Sequence, residues 1–304
     1  MRVSMQQMHR LNINSMQMNQ ANYGKVMQQM STGKRINVPS DDPLGAVQTL
    51  SLQREQAQLI QYMDNISSLR MSLSRSESTL DNMNNVLYRV RDLTLQGNNG
   101  ALSHEDRKGI AAELRVLQDS LVEHVNTRDE KGKYIFSGNE VDTAPVARDA
   151  NGNWVYQGDL NQRDVPVGEG NWVKGNDTAG AIFFSGAADI FNEMDNWIAV
   201  LEDPNLAPGD PAFEAAFNGA LTAIDGTMGT IGQTMTELGG RQQAMDLLET
   251  AHQDIGMFNQ ELIGEIEDLD YSEASLALAT YLMALQATQQ SYVKINQLSL
   301  FNHL

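Results

Sequence analysis

The chain has 304 residues, 41% hydrophobic and 6% aromatic, with 39 acidic against 21 basic side chains, a formal charge of −18, and no cysteine. That length allows one to three domains. The acidic balance opposes phosphate backbones and anionic lipid unless a local basic patch intervenes, and none stands out, while the absence of thiols excludes disulfides, a thiolate nucleophile and a cysteine-ligated zinc site.

The opening residues, Met1 to Arg10, lack the apolar core of a Sec signal, and no stretch reaches the ~18 unbroken apolar residues of a membrane span. Ile13, Met16, Gln20, Tyr23, Met27 and Met30 then alternate three- and four-residue spacings, the seam of a coiled-coil-like helix. Gly33 is placed to stop it. Asp42 followed by Pro43 supplies an N-cap and a first-turn proline, so a second helix begins there. In it Leu52, Leu59, Ile66, Leu73, Leu80 and Leu87 recur every seven residues, with Tyr62, Leu69, Met83 and Val90 between them. From Leu44 to Gln96 it would span about 80 Å at ~1.5 Å per residue, a rod that needs partner helices along its seam. Ser103 and Asp106 resemble a capping box opening a third helix through Ile110, Leu114, Leu117 and Leu121.

The middle of the chain differs in composition. Trp154, Trp172 and Trp197, the three tryptophans, all fall there, and Tyr134-Ile135-Phe136, Trp154-Val155-Tyr156, Asp164-Val165-Pro166-Val167 and Ile182-Phe183-Phe184 are short apolar runs separated by Gly, Asn and Asp. They predict a small inserted β domain. Asn151-Gly152 predicts a type I′ turn in a hairpin from Val146 to Tyr156. Beyond it, Phe217, Leu221, Ile224, Met228, Ile231, Met235 and Leu238 restore the helical seam, which the apolar residues Leu248, Ile255, Leu262 and Leu269 continue only with a shift of register, a local stammer. Asp270 and Glu273 cap a last helix through Leu278, Leu282, Leu285, Tyr292 and Ile295. The fold class is therefore mainly α with a small inserted β domain, built as a long helical bundle or coiled-coil rod.

No catalytic, cofactor-binding or metal-binding set emerges. Asp149, Asn151 and Asn153 fit the start of a calcium loop, but Trp154 and Leu160 stand where glycine and glutamate belong. Gly168-Glu169-Gly170 and Gly175 are mis-spaced for a nucleotide loop and read as a turn. The histidines His9, His104, His124, His252 and His303 are scattered, with no zinc-protease spacing. Gly226, Gly229 and Gly232 would share one side of a helix, for close packing or a hinge, or equally as flexibility without function. Nine of the 16 methionines occur by Met71, which suits equally a surface that repacks against several partners and ordinary filling of a helix seam.

The two ends resemble the flagellin family. Met30-Ser31-Thr32-Gly33-Lys34-Arg35-Ile36-Asn37-Val38-Pro39-Ser40-Asp41-Asp42-Pro43-Leu44-Gly45-Ala46 is similar to its N-terminal signature, and Asp268-Leu269-Asp270-Tyr271-Ser272-Glu273-Ala274 with Ile295 to Leu304 to its C-terminal region. Val86 to Gln96 resembles the segment that packs between protofilaments. Asp129 to Gly138, followed by Thr143-Ala144-Pro145, and the Ser-Leu-Phe near the end are closer to the hook-filament junction members than to flagellins, which usually carry Asn-Gly near this point.

The resemblance implies a non-enzymatic, extracellular component of the bacterial flagellum serving motility, exported unfolded through the flagellar type III channel without a cleaved signal. It would be a structural adaptor contacting a hook-associated junction protein on the hook side and flagellin on the filament side. Further partners would be copies of itself, in a ring of about eleven, and an export chaperone, but neither nucleic acid nor membrane. Residues 1–42 and 268–304 would form a coiled-coil inner layer, 43–131 and 187–267 a long-helix bundle, and 132–186 an outward-facing β domain. Assembly contacts are expected at Ser31, Gly33, Arg35, Ile36, Asn37, Asp41, Asp42 and Pro43, at Arg89 and Leu93, and at Leu298, Leu300 and Phe301. Unpartnered terminal seams predict disorder in the free subunit from 1 to about 40 and from 270 to 304. A flagellin or minor flagellin that polymerises into filaments is the alternative; an enzyme on the same frame would need a catalytic motif within 132–186.

Overall fold

The computed structural model describes residues 5–185 and 189–301, with side chains described for 7–185 and 189–294. Its elements run α1 (Met5–Thr32), α2 (Pro43–Gly97), α3 (His104–Val125), β1 (Val146–Arg148), β2 (Trp154–Tyr156), β3 (Asp164–Gly168), β4 (Asn171–Lys174), α4 (Ala179–Phe183), α5 (Ile190–Glu202), α6 (Pro211–Glu267) and α7 (Tyr271–Phe301). Two compact units result, Met1–Leu59 with Gln253–Leu304, and Ile60–His252. Both α2 and α6 contribute residues to each.

In the larger unit, the seven-residue repeat of α2 buries Ile66, Leu73, Leu80 and Leu87 completely, with Leu69, Met83 and Val90 beside them. Helix α6 lies antiparallel against it, as the pairs Arg70 with Asp246 and Glu249, Glu77 with Gln242, and Arg91 with Asp225 show. Helices α3 and α5 pack on each other, and Ile110, Leu114, Leu121, Phe191, Met194 and Trp197 complete one continuous core. The α3 start is the expected capping box, Ser103 accepting from the Asp106 amide and Asp106 from the Ser103 amide, which satisfies two otherwise orphaned donors.

The α6 seam departs from expectation. Ile224, Ile231, Leu238, Met245, His252 and Asn259 are buried at an unbroken seven-residue interval, so no stammer occurs. Counting apolar residues alone had favoured Ile255, which is 41% exposed; two polar side chains occupy the seam instead. His252 is accommodated by a 2.7 Å contact between Nε2 and the Val167 carbonyl and by stacking on Tyr62. Gly226, Gly229 and Gly232 lie on the exposed side with nothing near a would-be Cβ, which removes the close-packing reading.

The inserted segment contains two separate antiparallel hairpins, β1–β2 and β3–β4. Val146 pairs with Tyr156 as expected, yet the turn is not type I′, because Gly152 has φ 88° and no non-glycine residue among those described has positive φ. Asp149 and Gly152 instead close a turn (Gly152 N–H to Asp149 C=O, 3.1 Å), the Asp149 amide reaches the Asn153 carbonyl, and the Asp149 carboxylate accepts from the Asn151 and Asn153 amides. This is the three-residue loop with a left-handed glycine at the bulge. Tyr134-Ile135-Phe136 makes only an isolated bridge from Tyr134 to Arg128. Ile182 and Phe183 end the short helix α4 rather than forming a strand, since Thr178 caps it and both side chains turn into the core. Arg241 of α6 grips Asp177 with both terminal nitrogens, at 2.8 and 3.1 Å, and Asn65 of α2 donates to the Pro166 carbonyl at 2.8 Å, fixing this segment to the long helices.

Leu80→Ala, at a fully buried position, is expected to lower stability by about 2–5 kcal/mol. Val116→Ala, at a side chain 67% exposed, should stay within about 0.5 kcal/mol. Urea unfolding followed by circular dichroism measures both.

Candidate assembly interface

In the smaller unit the polypeptide turns between α1 and α2 and again between α6 and α7, and the two turns are bound to each other. Gly33 ends α1 at φ 73°, a left-handed conformation that glycine adopts without strain. Its carbonyl accepts from the Leu269 amide at 3.0 Å, and the Arg35 amide donates to the Glu267 carbonyl at 2.6 Å. This antiparallel bridge centres on Lys34 and Asp268. The Arg35 guanidinium donates to the Ile266 carbonyl at 2.8 Å, capping the end of α6, and to Asp42 at 3.1 Å. Lys34 pairs with Glu267. The Gln29 side chain closes the circuit by donating to the Arg35 carbonyl.

Carboxylates set the second half of the turn. Asp41 accepts from the Asn37 and Val38 amides at 3.1 and 3.2 Å and pairs with Lys25 at 2.9 Å. Its pKa is lowered, first by Lys25 and then by the Asn37 amide. Asp42 caps α2 by accepting from the Gly45 amide at 3.0 Å, and that amide, followed by Arg35, lowers its pKa. Pro43 occupies the first helical position, where its missing N–H costs nothing. Ile36 is buried over Gly45; a Cβ there would sit 2.8 Å from both Ile36 and Asp42. Asn37 donates to the Lys34 carbonyl, while Ser31 is exposed on the last turn of α1.

The structure thus brings Gly33, Arg35, Ile36, Asn37, Asp41, Asp42 and Pro43 into one joint. It also recruits Lys25 and Gln29 from α1, and Glu267, Ile266 and Leu269, for which the sequence offered no local signal because Lys34 and Glu267 lie 233 positions apart. Arg89 is elsewhere, an exposed side chain bonded to Glu113 through Nε and Nη2. Leu93 is 2% exposed in the core of the larger unit, so an interface contact through it would require that core to open. Leu298, Leu300 and Phe301 belong to the last turns of α7, and their side chains lie outside the described residues.

Helices α1 and α7 pack antiparallel, with His9 edge-on to Tyr292 at 5.5 Å. Their contact seam uses Met16, Tyr23, Val26 and Met30 rather than the full expected set: Ile13 and Met27 are 37% and 49% exposed. The helix carries apolar residues on more than one side, and among the outer ones Leu11 and Met18 are 59% and 65% exposed. Leu276, Met283 and Val293 of α7 are 71%, 62% and 52% exposed. Among the described residues no cluster of His, Asp or Glu could hold a metal, and no helix is long and apolar enough to cross a membrane.

Acid should loosen the joint. Both aspartates have folded pKa values below the usual ~3.9, so their stabilisation is complete above that value and is lost as pH falls through the depressed folded values. Amide exchange of Asn37, Val38 and Gly45 against pH should show this loss, and Asp42→Asn should flatten it at Gly45.

The family model for the bacterial flagellin N-terminal helical region matches residues 3–141. Flagellar hook-associated protein 3 of Escherichia coli is 28% identical across 99% of both chains. Polar flagellin F of Vibrio parahaemolyticus is 30% identical over 112 residues, 37% of this chain and 30% of its own. A solved structure of a flagellar hook-associated protein from Vibrio parahaemolyticus superposes with a TM-score of 0.70 at 36% identity, covering 75% of this chain and all of that one. With the paired terminal helices, the joint between them and an identity of this size over the whole solved relative, the chain belongs to the flagellar hook-associated protein family.

Proposed function

We propose that the protein is a structural, non-enzymatic adaptor joining the flagellar hook region to the flagellin filament. The observation that carries this is the α1–α7 pair, a two-helix unit whose outer sides keep Leu11, Met18, Met27, Leu276 and Met283 in water. Helices apolar on several sides are built to be enclosed, and here only other chains can enclose them. The end-to-end match to hook-associated protein 3, against a match of about one third to a flagellin, supports a junction role over a filament role.

In this reading residues 1–42 and 268–304 form an inner layer, 43–131 and 187–267 a middle layer, and 132–186 face outward. One end meets a hook-associated protein, the other meets flagellin, and copies of the chain close a ring of about eleven. The subunit leaves the cell through the flagellar export channel without cleavage of a signal, with a chaperone holding it before export. Ordering of the terminal helices is coupled to assembly, because an isolated helix pair gains too little burial to offset its ordering entropy. The joint around Arg35 and Asp42 then fixes the path between the ordered terminal helices and the long ones.

Electron microscopy of the purified chain, alone and then with isolated hooks and flagellin, tests the role. A bounded layer required before flagellin grows is expected; long filaments from the chain alone would make it a flagellin. Hydrogen exchange on the free subunit should show weak protection in residues 7–32 and 271–294 and strong protection after incorporation. Arg35→Ala should reduce incorporation while leaving the urea transition of the larger unit unchanged.

A further inference from the structure

Charge is segregated within the smaller unit in a way that the chain-wide balance conceals. Residues 1–40 contain five cations, Arg2, Arg10, Lys25, Lys34 and Arg35, and no carboxylate. Residues 253–293 contain seven carboxylates and no lysine or arginine. At the end of α6, Asp254, Phe258, Glu261 and Glu265 follow at four-, three- and four-residue spacing and therefore share one face. All four are exposed, Phe258 by 59%, with Met257 beside them at 65%. The face lies opposite the buried Asn259, and none of the three acids has an ion pair among the described residues.

Helix α1 carries the complement. Leu11, Met18 and Lys25 recur every seven residues on a side turned away from the seam with α7, and Arg10 adjoins Leu11. Leu11 and Met18 are 59% and 65% exposed. Lys25 reaches Asp41, whereas Arg10 has no carboxylate partner among the described residues. An apolar pair flanked by cations thus stands on one helix, and an apolar ring flanked by acids on another, and both faces are exposed.

We propose that the Asp254–Glu265 face of α6 is the docking surface for α1 of a second copy, through its Arg10, Leu11 and Met18. The two faces are different surfaces of one chain, so the contact is heterologous, the kind that propagates into a ring or helix rather than stopping at a dimer. Phe258 against Met18 supplies the apolar centre, and the charges around it select register and suppress acid-to-acid approach. This assignment rests on the adaptor reading and adds to it which surfaces neighbouring copies use.

The absence of native cysteine makes a direct test clean. Full-length Met18→Cys chains are mixed with full-length Phe258→Cys chains, assembled on isolated hooks, and treated with a short bifunctional maleimide. A mixed dimer that accumulates on assembly is expected. Glu261→Arg with Glu265→Arg should cut incorporation about tenfold, with recovery when Arg10→Glu is added to the same chain. Layers that form without the mixed dimer, or that ignore the charge reversal, would overturn the assignment. If the unsubstituted chain fails to add to hooks, the adaptor reading fails. The same cross-link is then sought in oligomers of the chain concentrated alone, where its presence upholds the docking surface and its absence removes it.

Discussion

Arg35 holds together parts of the chain that nothing local would join. Its amide and guanidinium bind the last carbonyls of α6, and the same guanidinium reaches the aspartate that caps α2. Ion pairs this exposed contribute little singly, about 0–1 kcal/mol each. Here they are bolted to two backbone hydrogen bonds and to the buried Ile36, so side-chain entropy is lost once for several contacts. Helix termini leave carbonyls and amides unsatisfied, and this joint satisfies the end of one long helix with the beginning of another. Without it α1 and α7 would be tethered only by their own thin seam.

The two units differ in what stabilises them. The larger has a conventional interior, with leucines and aromatic rings from α2, α3, α5 and α6 in one cluster. Among the described residues the smaller buries few apolar side chains, Val26, Ile36, Leu59 and Ala274, while much of its apolar surface faces water. A soluble monomer rarely leaves such strips open without use for them. The partition gives the larger unit a closed interior and leaves the smaller one with apolar surface in water.

Much of this architecture could be read from residue patterns, and the failures have specific causes. The Leu59–Leu87 repeat, the stop at Gly33, the Asp42-Pro43 start and the Ser103–Asp106 box are local rules obeyed locally. The seam of α6 beyond Leu238 was misread because His252 and Asn259 occupy positions that a count of apolar residues passes over. In α1 two apolar strips lie side by side, and spacing alone could not say which faces α7. At Asn151-Gly152 the competing Asp149 carboxylate captured two amides and selected a bulged turn over type I′. The joint was recognisable as a turn on its N-terminal side, but Glu267 and Ile266 were invisible as its partners, since no short-range spacing links them to Lys34 and Arg35. The acidic stripe on α6 was hidden for a different reason: a net charge describes the chain, not its faces.

The bridge between Gly33 and Leu269 also constrains the order of events during folding. Arg35 and Ile266 are separated by 231 positions, so the joint has one of the largest loop closures available to the chain and contributes nothing until both turns exist together. A polypeptide that emerges gradually from a narrow passage cannot form it until nearly the whole length is out, whichever end leads. Within the larger unit the α2–α6 pairs close shorter loops, up to 179 positions between Arg70 and Glu249. Until the joint forms the two ends lack their mutual closure, so topology itself delays the self-contained state.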